Sequence, residues 1–300
     1  MLRRVITATA ALLVALSLAA FAGSAAYPLD VLSSFRFHLV PVAGLLVVLA
    51  LVVRARWATG LALLALGING IVVLPLYTGD QPRPAGSDRL LVAHVNMQGL
   101  DGDVAAFRRV IRRRRPDVIV VLEAPEPWRK ELDGTLPGYR LFTSGRGDVG
   151  LARVPVALEP ASASFGRESR PFRVRLGRRA VHVLALHTPS PITPGRADER
   201  NGELHAAGLW AARVGAWVVV LGDLNATPWS HGFRDLERTG RLHSSLPGFG
   251  LQATWPSALG PLGVPIDHLL YSDGLTVVAR SPGPSFGSAH RSLWVTLAVA

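Results

Sequence analysis

The first quarter of this chain is nearly free of charge, and no other property limits its fold so strongly. Six of the first 77 residues are charged: Arg3, Arg4, Asp30, Arg36, Arg54 and Arg56. Around them lie three apolar stretches, 5–22, 37–53 and 58–77. Each approaches the length a helix needs to cross the hydrocarbon core of a bilayer. One such stretch is often only a buried core helix. Three in succession, separated by short charged or turn-rich joints, predict three transmembrane helices. The first also has the form of a cleavable signal peptide, with Leu2-Arg3-Arg4 ahead of it and Gly23-Ser24-Ala25-Ala26 behind. Arginines precede the first stretch and fill the joint between the second and third, which places both on the cytoplasmic side. Everything after Tyr77 then faces out, whether or not the first stretch is removed. The expectation is a multi-pass protein of the cell membrane, residues 1–77 its anchor and the bilayer its partner.

Residues 78–88 (TGDQPRPAGSD) are rich in Pro and Gly and read as a linker short enough to hold the remainder of the chain near the membrane surface. That remainder, 89–300, has the composition of a water-soluble domain. The chain carries 32 basic against 21 acidic residues, a formal charge of +11. That balance favours anionic partners, namely nucleic acid, phospholipid headgroups or phosphorylated substrates, without choosing among them. The densest run, RRVIRRRR at 108–115, reads first as a solvated helix face and second as a contact for anionic headgroups. There is no cysteine, which excludes disulfides and thiolate metal sites and leaves oxygen and nitrogen as metal ligands.

Along 89–300, apolar runs predict strands at 90–95, 117–122, 150–153, 172–176, 181–186, 217–221, 266–271, 276–279 and 293–299. Helices are expected from an Asp103 cap to about Arg115, over 198–213 and over 230–239. Many strands and few helices, mostly outside strict alternation, predict two packed sheets flanked by helices.

Polar residues recur where these strands end. HVNMQG places Asn96 after the first strand, VLEAP places Glu123 after the second, and ALHTPSP places His187 after another. LGDLNATP adds Asp223 and Asn225. PIDHLLYS sets Asp267 and His268 at a strand's start, and GSAHRSLW holds His290 before the last strand. One such residue usually does no more than satisfy a turn. Together they describe a site of oxygen ligands suited to a hard cation, with imidazoles for proton transfer.

In order and spacing these segments resemble the endonuclease/exonuclease/phosphatase superfamily, which includes DNase I-like nucleases, sphingomyelinases and inositol polyphosphate phosphatases. GDLNATP, GLQATWP (250–256), PIDHLL and the terminal GS-x-H carry the resemblance over the whole of 89–300. It implies an α/β fold, a four-layer α/β/β/α sandwich, and metal-dependent hydrolysis of phosphoester or phosphoanhydride bonds with Mg²⁺, or Mn²⁺ in its place. By the same resemblance Glu123, Asn96 and Asp223 hold the metal, and Asp223 also orients or deprotonates water. Asn225 and His187 contact phosphate, His187 doubling as an acid. His290 is the C-terminal catalytic histidine, steadied by Asp267. The departure is Ala289, where the superfamily usually has Asp; this implies one metal rather than two, and reduced activity. The three-helix, outward-facing layout is similar to that of teicoplanin-resistance membrane proteins of actinobacteria. That implies a role in antibiotic resistance, on a lipid-linked phosphate or pyrophosphate of the cell envelope. A cell-surface nuclease and a catalytically weak envelope-binding domain are the alternatives.

Overall fold

A computed structural model of the chain describes every residue except 81–83, 100–101, 144–146, 161–164 and 166–168. Residues 81–83 belong to the expected linker, so that part of it lies outside the described residues.

The charge-poor N-terminal region folds into helices. α1 (Leu2–Ala19), α3 (Arg36–Val52) and α4 (Arg56–Val73) pack on one another, with short α2 (Tyr27–Ser33) in the first connection and α5 (Pro75–Thr78) after the last. Their shared interior is lined by Ala10, Ala43, Ala50, Ala58, Ala62 and Ala65, all fully buried, while Leu45, Val52, Trp57 and Ile71 are exposed. Small residues let helix backbones approach closely, and large apolar ones turn outward, the arrangement of helices that sit in lipid. Two helices, α1 and α4, are long and apolar enough to cross a membrane. Of the three expected spans, two thus have a candidate helix by length and composition, and the third would need the bent pair of α2 and α3. α3 has 17 residues, and with α2 it forms a pair bent by 67°. The expected span 58–77 also divides, because Pro75 lacks the N–H that would continue α4 and opens α5 instead.

From residue 89 the chain runs β1 (Arg89–Asn96), α6 (Val104–Arg114), β2 (Val118–Leu122), α7 (Glu126–Leu132), β3 (Arg140–Phe142), β4 (Val149–Ala152), β5 (Val156–Leu158), β6 (Phe172–Leu176) and β7 (Arg179–His187). It continues through α8 (Pro194–Val214), β8 (Val218–Asp223), α9 (His231–Gly240), β9 (Leu242–Ser244), β10 (Asp267–Ser272), β11 (Leu275–Pro282) and β12 (Leu293–Val299). Two six-stranded sheets result, ordered β11-β12-β1-β2-β4-β3 and β5-β6-β7-β8-β10-β9. Three apolar clusters define the layers. Val92, Val118 and Val120 of one sheet meet Val183, Val219 and Leu269 of the other between the sheets. Phe107 and Ile111 of α6, with Trp128 and Leu132 of α7, cover the outer face of the first sheet. Leu204, Ala207, Phe233 and Leu236 of α8 and α9 cover that of the second. The order is helix, sheet, sheet, helix, as expected. Central strands are buried on both faces and read as unbroken apolar runs; β6, nearer an edge, alternates.

The helix caps follow the sequence. The Asp103 carboxylate accepts the Ala106 N–H at 2.7 Å, and α6 ends at Arg115 in the left-handed region, just before Pro116. The arginine run covers the outside of α6, where Arg108 pairs with Glu131 and Arg114 stacks on Trp294.

Strand direction positions the site. β1 and β2 are parallel, as are β7 and β8, whereas β12 runs against β1 and β10 against β8. The C-terminal ends of four central strands therefore share one edge of the sandwich with the N-terminal ends of β10 and β12.

Candidate active site

Every residue singled out at a strand end in the sequence lies at this edge, but His268 points away from the rest. Asp267 stands opposite Asp223 in the β8–β10 ladder, and His187 stands opposite Asp223 in the β7–β8 ladder. Gly222 permits the second pairing: a Cβ there would lie 1.9 Å from the Leu186 carbonyl oxygen. Glu123 and Asn225 adopt left-handed backbone conformations, φ 49° and 44°. Non-glycine residues rarely do so, and such strain clusters where side chains must be aimed. Asp148 steadies the first by accepting the Glu123 N–H at 3.2 Å. Asp223 steadies the second by accepting the Asn225 N–H at 3.0 Å.

Asp267 is the most enclosed member. One carboxylate oxygen meets His94 Nε2 at 2.9 Å and the other meets His290 Nδ1 at 2.9 Å. The Asp267 N–H donates to Thr254 Oγ1. Burial opposes the charge on Asp267, but His290 and His94 outweigh it and hold this carboxylate far below the usual range. The same contact acts in reverse on His290. Burial disfavours its charge, yet Asp267, then Asp223 and Glu123, raise its pKa to about 9. At neutral pH His290 is an imidazolium with Nδ1–H fixed on Asp267. Its Nε2 lies 3.7 Å from Asp223 Oδ2.

Asp223 has the opposite surroundings. Burial, then the neighbouring Asp267, push its pKa up to about 7, against the opposing pull of His290 and hydrogen bonds from the Asn225 and Asn96 amides. Asn96 Nδ2 donates to Asp223 Oδ2 at 2.9 Å, and Asn96 Oδ1 accepts the Gln98 N–H. On the far side of Asp223, His187 Nε2 lies 3.9 Å from Oδ2 and 3.3 Å from Glu123 Oε1. Asn225 Nδ2 donates to the Thr188 carbonyl.

Two groups of donors border Asp223. Among the described residues, Asp223, Asp267 and His290 offer ligand atoms all within 4.8 Å of one another. In this trio both Asp267 oxygens are already engaged by imidazoles, His94 and His290, which suits proton handling. Glu123 and Asp223 both lie beside His187 Nε2, and Asn96, which turns Nδ2 toward Asp223, carries an amide oxygen as well; these are hard donors of the kind that Mg²⁺ or Mn²⁺ takes. The Glu123 side chain is 29% exposed, and Asn96 Oδ1 retains a second lone pair beside its bond to Gln98.

His268 belongs to the packing. Strand alternation sends it to the opposite face from Asp267, where Nε2 bonds the Ala226 and Pro265 carbonyls and the ring packs on Phe233. Burial, then Arg280, lower its pKa to about 4, so it is neutral. Sequence reasoning missed His94, Asp148 and Thr254 as supporting residues. His94 was findable, since it lies two residues before Asn96 and so shares its face of β1. Ala289 is held by backbone contacts alone, its N–H to Gln98 Oε1 at 3.2 Å and its carbonyl to the Ser257 N–H at 2.6 Å.

The model of the Endonuclease/Exonuclease/phosphatase family matches residues 93–290, a span that contains all of these side chains. Comparison with curated protein sequences gave no match. Among solved structures, a D. rerio TDP2 humanized by 14 mutations superposes with a TM-score of 0.57 at 15% identity, covering 70% of this chain and 99% of that one. A mannosyl-6-phosphatase of Bacteroides thetaiotaomicron superposes at 0.54 and 15% identity, covering 69% and 99%. An endonuclease/exonuclease/phosphatase from Beutenbergia cavernae superposes at 0.53 and 18% identity, covering 71% and 72%. At such identities the likeness is one of fold. About three-tenths of this chain has no counterpart in these structures.

Proposed function

Because the chain belongs to the endonuclease/exonuclease/phosphatase family, whose members are phosphoester hydrolases that use divalent metals, we propose that it is a membrane-anchored hydrolase of a lipid-linked phosphate or pyrophosphate. In this reading the site faces the extracytoplasmic side. The observation that carries the chemistry is the geometry around Asp223: Asp267 Oδ2 holds His290 Nδ1 at 2.9 Å, and His290 Nε2 then lies 3.7 Å from Asp223 Oδ2, with burial raising Asp223 and Asp267 raising His290. Titratable groups whose surroundings assign them different proton states mark an acid and a base. Asp223 takes a proton from water or orients it. His290 Nε2–H faces the developing negative charge and protonates the leaving oxygen.

Asn225 and His187 contact the phosphate, Asn225 through a side chain fixed on Thr188. Glu123, Asn96 and Asp223 hold the divalent cation. When bound it supplies Lewis-acid polarisation of a phosphoryl oxygen and neutralises charge. The case for a lipid-linked substrate rests on the anchor, whose exposed large apolar residues and buried alanines suit a bilayer. An enzyme fixed there gains local concentration of amphiphiles and little for soluble polymers.

The test is full-length protein with Mg²⁺, offered polyprenyl pyrophosphate, a phosphodiester lipid and plasmid DNA in parallel. Phosphate release from lipid is the expected result. DNA nicking without lipid turnover would establish a nuclease instead. Inactivity on all three, unrelieved by Ala289→Asp, would favour a binding role. Turnover that appears only in Ala289→Asp would assign the loss to that position. Protease added to intact cells should reach 89–300; protection would refute the outward orientation.

A further inference from the structure

The mouth of the site carries an apolar rim made by two loops. One leaves β7 just beyond His187 and exposes Ile192 (71%). The other, around 255–262, exposes Trp255 (40%), Leu259 (53%) and Leu262 (63%). Both are tied to site residues. The first carries Thr188, whose carbonyl accepts from Asn225. The second begins at Thr254, which accepts the Asp267 N–H and whose carbonyl accepts the Arg291 N–H. It continues to Ser257, whose N–H and hydroxyl donate to the Ala289 and Ser288 carbonyls on the His290 turn.

The same two loops are tied to the helical bundle, at one end of it. Tyr27, first residue of α2, donates its hydroxyl proton to the Pro191 carbonyl at 2.8 Å. His38, in the first turn of α3, meets the Leu262 carbonyl through Nε2 at 2.8 Å. Phe21 and Phe35, which flank this end of the bundle, are exposed as well. The rim is therefore level with the point where the apolar helices end. Four large apolar side chains gain nothing from water there. Continuity with the apolar exterior of the bundle supplies the environment that would cover them. Trp is a residue favoured where a bilayer meets water.

Resting on the membrane anchorage proposed above, we infer that this rim is seated in the interfacial layer of the bilayer. The site then opens onto the membrane plane, and its substrate is an amphiphile whose phosphate reaches Asn225 and His187 while its chain stays in lipid. Ile192, Trp255, Leu259 and Leu262 form the lipid-contact surface. They touch no reacting group, so their effect falls on access and leaves the chemical step unchanged.

The experiment uses full-length protein in phosphatidylethanolamine–phosphatidylglycerol vesicles, some containing lipids brominated at a shallow acyl position. Trp255 emission, isolated by subtracting a Trp255→Phe variant, should be quenched by the brominated lipid. An Ile192→Ser/Leu259→Ser/Leu262→Ser variant should lose about tenfold in kcat/KM on polyprenyl pyrophosphate in the vesicle, by raised KM. Its rate on water-soluble p-nitrophenyl phosphate should change by less than about twofold. Unquenched Trp255 would overturn the seating whatever the activity. Quenching with an unchanged ratio of the two rates would overturn the membrane route for substrate. Quenching in a protein that hydrolyses no lipid would uphold the seating and sink the proposed substrate, so the two failures are separable.

Discussion

The bundle and the sandwich bury opposite things. In the sandwich, Val, Leu, Ile and Phe fill the space between sheets and helices, and arginines cover the outside of α6. In the bundle, alanines fill the interior and Leu, Val, Ile and Trp face out. Residue size marks the inside of the bundle, whereas polarity marks the inside of the sandwich. The membrane anchorage proposed above would account for this: with no water to escape, apolar side chains lose their reason to turn inward, and close backbone approach decides instead. Buried polar groups differ in the same way. In the sandwich one group of them, Asn96, Asp223, Asp267 and His290, lies at one edge and makes the candidate site. Inside the bundle, Ser17 and Asn69 bond each other at 2.7 Å.

The largest effect should come from breaking the sandwich side of this contrast. Asp267→Asn leaves the fold's apolar core untouched but removes the charge that holds the His290 imidazolium. A fall in kcat of about 10²–10⁴ is expected on whichever phosphoester proves best. The sign of the accompanying pH change comes from the contacts. His290 is kept protonated to about 9 by Asp267, so the alkaline limb of the rate profile, where the acid loses its proton, should move to lower pH in the variant. A limb that stays in place would show that His290 is not the titrating acid.

How much of this was legible in the sequence depends on what each residue answers to. Glu123, His187 and Asp223 follow unbroken apolar runs, and Asn96 one interrupted only by His94; a strand buried on both faces ends visibly when polar letters begin. β3, β5 and β9, three residues each, have no periodicity to read. His268 and Asp267 are adjacent letters with opposite fates, and only the strand's alternation, once its start is known, separates them. The short helices α2 and α7, seven residues each, were both omissions. The segment containing Asp30 reads as a loop, because its reason for folding is Arg200, 170 residues away.

That seam offers the next test. Arg200 is 2% exposed, bonds Asp30 Oδ2, and donates to the Asn225 carbonyl at 3.0 Å; Asp30 also accepts the His231 N–H at 2.6 Å. Here the two regions share a buried ion pair, and removing one partner strands the other. Asp30→Ala should cost about 3–5 kcal/mol, and the double variant Asp30→Ala/Arg200→Met clearly less. Thermal unfolding of the full-length protein in detergent reads both. Equal losses in single and double variants would mean that the pair does not bind bundle to sandwich. A KM increase in Asp30→Ala would additionally place the anchor's aspartate among the groups that position Asn225.

A smaller effect is expected from a carboxyl that the site does not use. Burial raises Glu237 from the ordinary range to about 7, despite its acceptance of the Ser244 N–H and the nearby Arg234. Its folded pKa exceeds its unfolded one, so stability is greatest below about 4.5 and falls as pH rises to about 7, where the folded state finally ionises. Glu237→Gln keeps an acceptor for Ser244 and removes the ionisation. It should gain roughly 2–3 kcal/mol at pH 8 and nothing at pH 4. A variant equally stabilised at both values would trace the gain to packing. Unlike Asp223, which burial also raises, Glu237 lines a pocket with Leu242 and His243 that holds none of the candidate site residues, and activity at neutral pH should not change.

The smallest effect tests the bundle itself. Asn69 Nδ2 donates to Ser17 Oγ and to the Ala65 carbonyl, while Ser17 Oγ donates to the Leu13 carbonyl. In water, stranding such a buried group costs about 1–3 kcal/mol. In lipid the separated helices find other partners for their polar groups, and interhelical bonds average only about 0.6 kcal/mol. A double-mutant cycle with Asn69→Ala and Ser17→Ala, read by unfolding in bilayer-like discs, should return a coupling near that lower figure with unchanged turnover. A coupling above about 2 kcal/mol would mean that this pair contributes as it would in a water-soluble core. The alanine-lined interior would then be the centre of a soluble helical domain, and the contrast between the two regions would have to rest on something other than the medium around them.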